Sequence, residues 1–334
     1  MSFTTTILQW FHENGRALPW RETSSPYAIW LSEIILQQTR IEQGRPYWER
    51  FMQRWPAVED LAAASEDEVL REWQGLGYYS RARNLHHAAK QVVVGGGFPT
   101  SIDGLRALKG VGDYTAAAIG SFAFNLPVAV VDGNVFRVLS RYYGITTPIN
   151  TTEGKREFTA LAQSLLPTSE KGYTKDGVVA EYNQAMMDFG AVQCTPQGAQ
   201  CLSCPLADSC AAFREGRVGQ LPVKLRTLKV RERRLLYIYI RCKGMTAIHR
   251  RGAGDIWQGL YEPWLTDTVP PGAVLLRRHV RHVLTHRVLY ADFYLWETDE
   301  RPSLPAGYLW IHESDIDQYA VPRLIEILLE SLPR

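Results

Sequence analysis

Four cysteines in the second half of the chain stand close enough in sequence to bind one metal centre. Cys194, Cys201, Cys204 and Cys210 follow the spacing C-x6-C-x2-C-x5-C. Thiolates are soft ligands that suit zinc or an iron–sulfur cluster. Zinc sites usually combine two short C-x2-C pairs, whereas this segment has one such pair with a more distant cysteine on each side, which favours a four-iron cluster. The spacing alone leaves both metal centres open. Disulfides are disfavoured because the N-terminal residues do not resemble a secretory signal.

Two acidic residues occupy positions where a carboxyl group can do acid–base chemistry. Glu33 lies inside the apolar segment 28–38, and apolar surroundings raise the pKa of a carboxyl group into the range of a general acid. The simpler interpretation of Glu33 is a solvated helix residue. Asp132 follows the apolar run 128–131 and is predicted to cap a helix, which keeps its carboxylate ionised. One neutral and one ionised carboxyl group is the arrangement that cleaves glycosidic bonds.

A pair of glycines before an apolar helix indicates anion binding. Gly110 and Gly112 form a tight turn in which the backbone can approach a ligand closely, and the free amides of the following helix attract a phosphate. A bare G-x-G is more often an ordinary turn. Leucines before the turn and an apolar helix after it favour a helix–hairpin–helix that binds the DNA backbone. The charge of Asp113 opposes this interpretation.

These side chains need a helical scaffold, and the pattern of the first two thirds of the chain predicts one. Apolar residues recur every three or four positions up to about residue 213, and Ser25 with Pro26 is a typical start for the helix that carries Glu33. Beyond it, segments 235–241 and 287–296 are rich in β-formers, and 321–332 is an amphipathic helix. The predicted division is a mainly helical domain at 1–216 that contains the cysteine loop 194–210, a linker at 217–230 and a smaller α+β domain at 231–334.

Composition limits the possible classes of protein. The chain has 334 residues, 46% of them hydrophobic, and a net charge of +2 that does not by itself indicate nucleic-acid binding. The longest apolar stretch, 116–131, contains Asn125 and Pro127 and is too short to span a membrane, so we expect a cytoplasmic protein. Positive charge is concentrated in three places, each of which is more simply a solvated face: Arg81 with Arg83, Lys224 with Arg226, Lys229, Arg231, Arg233 and Arg234, and Arg277 with Arg278, Arg281 and Arg287.

Taken together, the motifs resemble the endonuclease III superfamily of DNA glycosylases and, within it, the MutY type of adenine DNA glycosylase. The cysteine spacing is that of the superfamily's [4Fe–4S] cluster. The resemblance implies a mainly α helix–hairpin–helix glycosylase domain followed by a Nudix-like α+β domain that recognises 8-oxoguanine. It rests on the segments Leu18-Pro19-Trp20-Arg21, Trp30-Leu31-Ser32-Glu33, Leu36-Gln37-Gln38-Thr39, Gly75-Leu76-Gly77-Tyr78-Tyr79, Asp132-Gly133-Asn134-Val135 and Tyr182-Asn183-Gln184-Ala185-Met186-Met187, besides the glycine turn and the cysteines. For the second domain it rests on Asp255-Ile256-Trp257-Gln258-Gly259-Leu260-Tyr261-Glu262-Pro263-Trp264.

The activity that the resemblance implies is excision of adenine mispaired with 8-oxoguanine or guanine in double-stranded DNA, as a step of base excision repair. The adenine has to be rotated out of the base stack first. Bifunctional relatives carry a lysine nucleophile in the second helix of the hairpin, and this chain has Tyr114 there, so strand cleavage is not expected. Two alternatives are an oxidised-pyrimidine glycosylase with lyase activity and a DNA-binding or redox protein that carries a cluster. The second alternative leaves Glu33 and Asp132 unexplained.

The resemblance also implies roles for individual residues. Glu33 would protonate the departing adenine and then activate water, Asp132 would stabilise the oxocarbenium-like sugar, and Tyr114 and Asn134 would orient Asp132 and the sugar. The other implied contacts are Trp20, Arg21, Leu36, Gln184 and Met187 around the flipped adenine, Gln37, Gln38 and Tyr78 in the vacated stack, Gly110 and Gly112 on the DNA backbone, and Thr285 and His286 at the oxidised base. The family often has Phe-Ser-His where this chain has Leu284-Thr285-His286. We expect a monomer that is associated with the nucleoid.

Overall fold

A computed structural model describes residues 2–173, 175–225 and 230–333. Arg226 and Lys229 of the second basic run, and residues 226–229 of the predicted linker, lie outside the described residues. The helices are α1 (Phe3–Asn14), α2 (Pro26–Ile35), α3 (Ile41–Arg54), α4 (Val58–Ala63), α5 (Glu66–Glu72), α6 (Ser80–Val94), α7 (Ile102–Arg106), α8 (Asp113–Phe124), α9 (Gly133–Tyr143), α10 (Thr152–Ser164), α11 (Val178–Asp188), α12 (Ala211–Arg214) and α13 (Arg323–Leu329). The strands are β1 (Arg231–Arg241), β2 (Met245–Arg250), β3 (Tyr261–Glu262), β4 (Trp264–Leu265), β5 (Val274–Val283), β6 (Arg287–Glu297) and β7 (Tyr308–His312).

The chain forms two compact units, and each of them is built from two separate segments of the sequence. The first unit contains Met1–Gln37 and Gln91–Arg226, and the second contains Gln38–Lys90 and Thr227–Arg334. Residues 38–90 belong with the C-terminal part because they bond to it directly. Arg83 Nη1 donates to the carbonyl oxygen of Gln258 at 2.6 Å, and Arg250 Nη2 lies 3.0 Å from Glu66 Oε1. The predicted division at 1–216, 217–230 and 231–334 follows the order of the chain and stays a prediction.

The first unit is helical, and α2 lies at its centre. The Ser25 hydroxyl accepts the amide of Ala28 and Pro26 is the first helical residue, as predicted. All residues from Tyr27 to Ile35 are buried, so α2 is enclosed on every side, and it packs on α8. The helix ends at Ile35 rather than at the predicted residue 38, where Gln38 has a left-handed φ of 59°.

A separate apolar core joins α1, α9, α10 and α11 in the first unit. Trp10 of α1 packs its ring against Phe189 at a centroid distance of 5.0 Å, and Val138, Leu139 and Phe158 fill the space around them. Helix α9 begins at the cap residue Asp132, as predicted, and ends at Gly144 in a left-handed conformation. The core therefore fixes the helix whose N-terminal residue is one of the two candidate acids.

The described residues of the second unit form two sheets. The four-stranded sheet has the order β4-β1-β6-β5, and the three-stranded sheet has the order β3-β2-β7. Strands β1 and β6 are parallel, with Tyr237 opposite Phe293, and the other pairs are antiparallel. Tyr237, Tyr239 and Phe293 pack against the buried face of α13, as an amphipathic terminal helix requires.

Several predicted elements are confirmed by the structure, whereas strands β2, β3, β4, β5 and β7 were missed. Segments 235–241 and 287–296 lie in β1 and β6, and 321–332 contains α13. The basic run at 277–281 is part of strand β5, which the sequence analysis did not predict. Residues 217–225 of the predicted linker belong to the first unit, where Ile149 N donates to the carbonyl oxygen of Val223 at 3.0 Å, and Val230 belongs to the second. Among the helices in the described ranges, none combines the length and apolar character that a membrane span needs.

Candidate active site

Glu33 and Tyr114 form a buried hydrogen bond at the contact of α2 and α8. The carboxyl group of Glu33 is only 8% exposed, and the Tyr114 hydroxyl donates to its Oε2 at 2.6 Å. Burial raises the pKa of Glu33 to about 7, and the nearby charge of Asp132 also raises it, while the bond from Tyr114 and the charge of Arg21 lower it. Glu33 is therefore a carboxyl group that can hold or release a proton near neutral pH.

Asp132 occupies the N-cap of α9 and is held by three hydrogen bonds. Its Oδ1 accepts from the backbone amides of Asn134 at 2.9 Å and Val135 at 2.8 Å, and its Oδ2 accepts from Asn134 Nδ2 at 2.6 Å. Burial raises the pKa of Asp132, whereas these bonds and the charge of Arg137 oppose the rise. The two acids differ in kind: Glu33 has an apolar environment and Asp132 has backbone donors at a positive helix end.

Because burial raises the pKa of Glu33, the ionised side chain should destabilise the folded state at alkaline pH. A carboxyl group whose pKa is higher in the folded state contributes stability below its ordinary pKa and loses it as pH rises through the folded value of about 7. From pH 5 to pH 8, the free energy of unfolding of the unsubstituted chain should fall by roughly 2–3 kcal/mol relative to that of Glu33→Gln. Thermal unfolding of both proteins at the two pH values measures this, and an equal pH dependence would contradict the burial of the acid.

A buried aspartate that the sequence analysis did not single out fixes Arg21. The Asp188 carboxylate is fully buried and accepts two hydrogen bonds from Arg21, each at 2.8 Å. It also accepts from the Arg16 backbone amide and from Arg16 Nε, both at 2.9 Å. Burial would raise the pKa of Asp188, but the bonds from the two arginines hold it at about 2. Because Asp188 stays ionised, it orients the guanidinium of Arg21, whose charge acts on Glu33.

Arg137 of α9 joins the candidate acids to the cysteine loop, and the sequence analysis missed it as well. Its Nη2 donates to Asn134 Oδ1 at 2.8 Å and to the carbonyl oxygen of Gly190 at 2.7 Å, and its Nε donates to the carbonyl oxygen of Cys194 at 2.7 Å. A side chain at Gly190 would meet Asn134, because an added Cβ would lie 2.5 Å from the Asn134 Cβ. This close packing brings the backbone of residues 190–194 within reach of Arg137.

The four cysteines line one largely apolar cavity in the first unit, together with Val138, Phe189 and Leu206. Burial, together with the neighbouring thiols, raises the pKa of the Cys204 thiol to about 11. Arg141 Nη1 lies 3.4 Å from the Cys194 sulfur. Among the residues that the structure describes, no three His, Cys, Asp or Glu side chains are grouped tightly enough for a single metal ion. Four thiols around one cavity fit a larger group that is ligated through sulfur.

The predicted hairpin lies between α7 and α8. Gly110 has a φ of 78°, which favours glycine, and Gly112 is the N-cap of α8. The side-chain oxygen of Gln91 accepts the amide of Lys109 at 2.7 Å and supports the turn. Asp113 forms an ion pair with Arg106 at 2.8 Å, which offsets the negative charge that the sequence analysis regarded as unfavourable for a phosphate.

Two predicted recognition residues are in contact in the second unit. The Tyr78 hydroxyl and Thr285 Oγ1 are 2.7 Å apart, although 207 positions separate them in the chain. Tyr78 is 50% exposed and has a φ of 46°, and Gln38 is also exposed with a positive φ. Backbone strain of this kind is concentrated at functional sites. His286 is exposed beside Thr285.

The remaining predicted pocket residues lie in the first unit. Trp20 is buried, and Leu36, Gln184 and Met187 are half-buried, with the last two on one face of α11. Gln37 donates its side-chain amide to Thr115 Oγ1 at 3.3 Å. The predicted catalytic residues and all five predicted adenine contacts therefore belong to the first unit, whereas Gln38, Tyr78, Thr285 and His286 belong to the second.

The fold corresponds to a known class of repair proteins. Residues 31–166 match the family described as HhH-GPD superfamily base excision DNA repair protein, and residues 236–331 match the NUDIX domain. A thermostable thymine-DNA glycosylase of known structure is 29% identical, with a TM-score of 0.57 over 64% of this chain and 95% of that one. An endonuclease III–DNA covalent intermediate, 22% identical with a TM-score of 0.54 over 64% of this chain and 94% of that one, shares the fold.

Two relatives in other organisms, both adenine DNA glycosylases, indicate which family within this class the chain belongs to. The adenine DNA glycosylase of Mus musculus is 41% identical over 66% of this chain but only 43% of its own length, so the chain spans less than half of that protein. The adenine DNA glycosylase of Buchnera aphidicola from Schizaphis graminum is 33% identical over 78% of this chain and 73% of its own length. The chain belongs to the adenine DNA glycosylase family. The predicted fold class, a helix–hairpin–helix glycosylase domain with a Nudix-like α+β domain, is confirmed.

Proposed function

We propose that this chain is a monofunctional adenine DNA glycosylase that acts, as a monomer, on adenine opposite 8-oxoguanine or guanine in duplex DNA. The observation that carries the proposal is the buried Glu33–Tyr114 hydrogen bond beside Asp132, whose carboxylate caps helix α9. Family membership supports adenine as the base. We also propose residues 1–216 as the catalytic domain and 231–334 as the domain that recognises the mispair.

In the proposed reaction, Glu33 in its protonated form donates a proton to the adenine while the bond between the base and the sugar breaks. The sugar becomes an oxocarbenium-like cation, and the ionised Asp132 stabilises its charge. Glu33, now a carboxylate, accepts a proton from the water that adds to the sugar carbon. The pKa of Glu33, raised to about 7 chiefly by burial, suits both halves of this cycle.

Tyr114 supports the monofunctional assignment. Its hydroxyl points at Glu33, and a phenol cannot form the Schiff base through which a lysine cleaves the strand. We propose that Tyr114 and Asn134 keep the two carboxyl groups oriented. Trp20, Arg21, Leu36, Gln184 and Met187 would surround the flipped adenine, Gly110 and Gly112 would contact the DNA backbone, and Gln37, Gln38, Tyr78, Thr285 and His286 would contact the vacated stack and the opposing base.

Cys194, Cys201, Cys204 and Cys210 would hold a [4Fe–4S] cluster, which supplies a covalent anchor for the loop 194–210 rather than chemistry on the base. Arg141 beside Cys194 would offset part of the negative charge of the four thiolates. Purified protein should contain close to four irons per chain and absorb visible light, and both should be lost in Cys204→Ala. Stoichiometric zinc without iron would contradict the assignment.

Alkali treatment after incubation with defined duplexes tests the function. We expect a duplex with adenine opposite 8-oxoguanine to break at the adenine position only after alkali, because hydrolysis leaves an intact strand with a missing base. Breaks without alkali would indicate a lyase. No breaks in either condition, with retained DNA binding, would indicate a binding protein. A duplex with adenine opposite thymine is the control for mispair recognition.

A further inference from the structure

The loop that contains Thr285 and His286 is a tight turn between β5 and β6. The amide of Leu284 donates to the carbonyl oxygen of Arg287 at 2.8 Å, which closes the turn around the two residues. The amide of Arg231 donates to the carbonyl oxygen of His286 at 3.1 Å. We refer to residues 284–287 as the Thr285–His286 turn. These backbone bonds close the turn and tie it to the start of β1.

Asp255 holds the end at which the chain leaves this turn. Its Oδ1 accepts from Arg287 Nη1 at 3.0 Å, and the same carboxylate accepts from Arg233 Nη1 at 2.6 Å and from Arg251 Nη2 at 2.7 Å. Burial would raise the pKa of Asp255, yet the bonds from Arg233 and from the Ile256 amide hold it at about 2. The carboxylate is therefore ionised near neutral pH. It joins β1, β6 and the segment 251–256.

Trp257 holds the end at which the chain enters the turn. Its ring meets the ring of His282 on β5 at a centroid distance of 5.9 Å, and the Arg251 guanidinium lies 5.8 Å from the Trp257 ring. Trp257 has a φ of 61°, which is rare for a bulky residue and persists only where the surroundings enforce it. Arg251 supplies that constraint, because it also pairs with the buried Glu262 and donates to the carbonyl oxygen of Ile256 at 2.8 Å.

We propose that the segment Asp255-Ile256-Trp257 is a positioning element for the Thr285–His286 turn, and that Asp255 thereby determines how well the chain distinguishes 8-oxoguanine from guanine. The inference rests on the proposed function. In this role Asp255 needs no contact with the DNA. It acts through Arg287 at one end of the turn, and Trp257 acts through His282 at the other. The strained backbone at Trp257 is explained by this role, since it brings the ring onto β5 while Asp255 reaches β6.

The test uses the full chain with Asp255→Asn, and Asp267→Asn, an exposed aspartate of the same unit, as the matched control. Hydrogen–deuterium exchange should rise in peptides covering 282–288 and stay unchanged in peptides covering 289–295. The ratio of single-turnover adenine excision rates, opposite 8-oxoguanine over opposite guanine, should fall about tenfold. Asp255→Glu should restore part of both effects. The control should change neither.

Three outcomes would overturn the inference: unchanged exchange in the turn, exchange raised throughout the second unit, or a loosened turn with an unchanged rate ratio. If the unsubstituted chain excises no adenine from either duplex, the proposed function fails separately. The dissociation constant for the guanine duplex divided by that for the 8-oxoguanine duplex then replaces the rate ratio. A lower ratio in Asp255→Asn than in the unsubstituted chain supports the inference. Equal ratios in the two proteins, or a ratio of one in the unsubstituted chain, refute it.

Discussion

Replacing Glu33 with glutamine is expected to slow the single-turnover release of adenine by about 10³-fold or more, because the amide has no proton to transfer. The fold of the pocket should be preserved, since the Tyr114 hydroxyl can donate to the amide oxygen as it does to Oε2. Binding of a duplex with adenine opposite 8-oxoguanine should stay within about twofold, as a site that loses only acid–base chemistry requires. Base release followed by alkali cleavage, together with fluorescence anisotropy for binding, separates the two effects.

The control for this substitution is Glu13→Gln, a change of the same chemistry at an exposed position of α1. It should leave adenine release unchanged. The rate of the unsubstituted chain should fall as pH rises through about 7, since the protonated form of Glu33 is lost there. Turnover that survives in Glu33→Gln, or a rate with no inflection near this pH, would assign the proton to another group.

Asp132→Asn should lower adenine release by about 10³-fold without unfolding α9, by analogy with the loss of one electrostatic contact to the transition state. Asparagine keeps the oxygen that accepts from the backbone amides of Asn134 and Val135, so the cap survives. It loses the negative charge that would stabilise the sugar cation. Single-turnover kinetics measures the loss, and circular dichroism checks the helix content.

A matched control for this change is Asp60→Asn, because Asp60 also accepts a backbone amide at a helix start, from Ala57 at 3.0 Å, but is exposed. The control should retain full activity. If Asp132→Asn released adenine at the unsubstituted rate, the capping interaction would be the whole role of Asp132, and the sugar cation would need another source of stabilisation.

Local signals in the sequence predicted the parts of the fold that local chemistry determines. Ser25 with Pro26 marked the start of α2, and Asp132 marked the start of α9, because caps satisfy amides only a few residues away. Strands β1 and β6 were visible as runs of β-formers. Strand β5 was missed, since its arginines conceal the alternation and a register shift between Arg277 and Val280 interrupts it.

The residues that the sequence could not identify act through partners far along the chain. Asp188 binds Arg21 across 167 positions, and Arg137 reaches Cys194 across 57. An arginine on an amphipathic helix is expected to be solvated, so nothing local distinguishes Arg137 from an ordinary surface residue. The two carboxyl groups were found because an acid inside an apolar segment is unusual in itself. The resemblance implied that Tyr114 and Asn134 orient Asp132. Asn134 does bond to Asp132, but the Tyr114 hydroxyl bonds to Glu33, which neither the pattern nor the resemblance indicated.

Because of Arg137, the effect of a substitution in the cysteine loop should not depend simply on its distance from Glu33 and Asp132. The residue is bonded both to Asn134, which holds Asp132, and to the backbone of Cys194. A substitution that displaces the backbone at residue 194 is therefore transmitted to Asp132, whereas one at the highly exposed Leu202 in the same loop has no such route. Variants of the cysteine loop should accordingly divide into two classes, those that disable excision while leaving the protein folded and those that are silent.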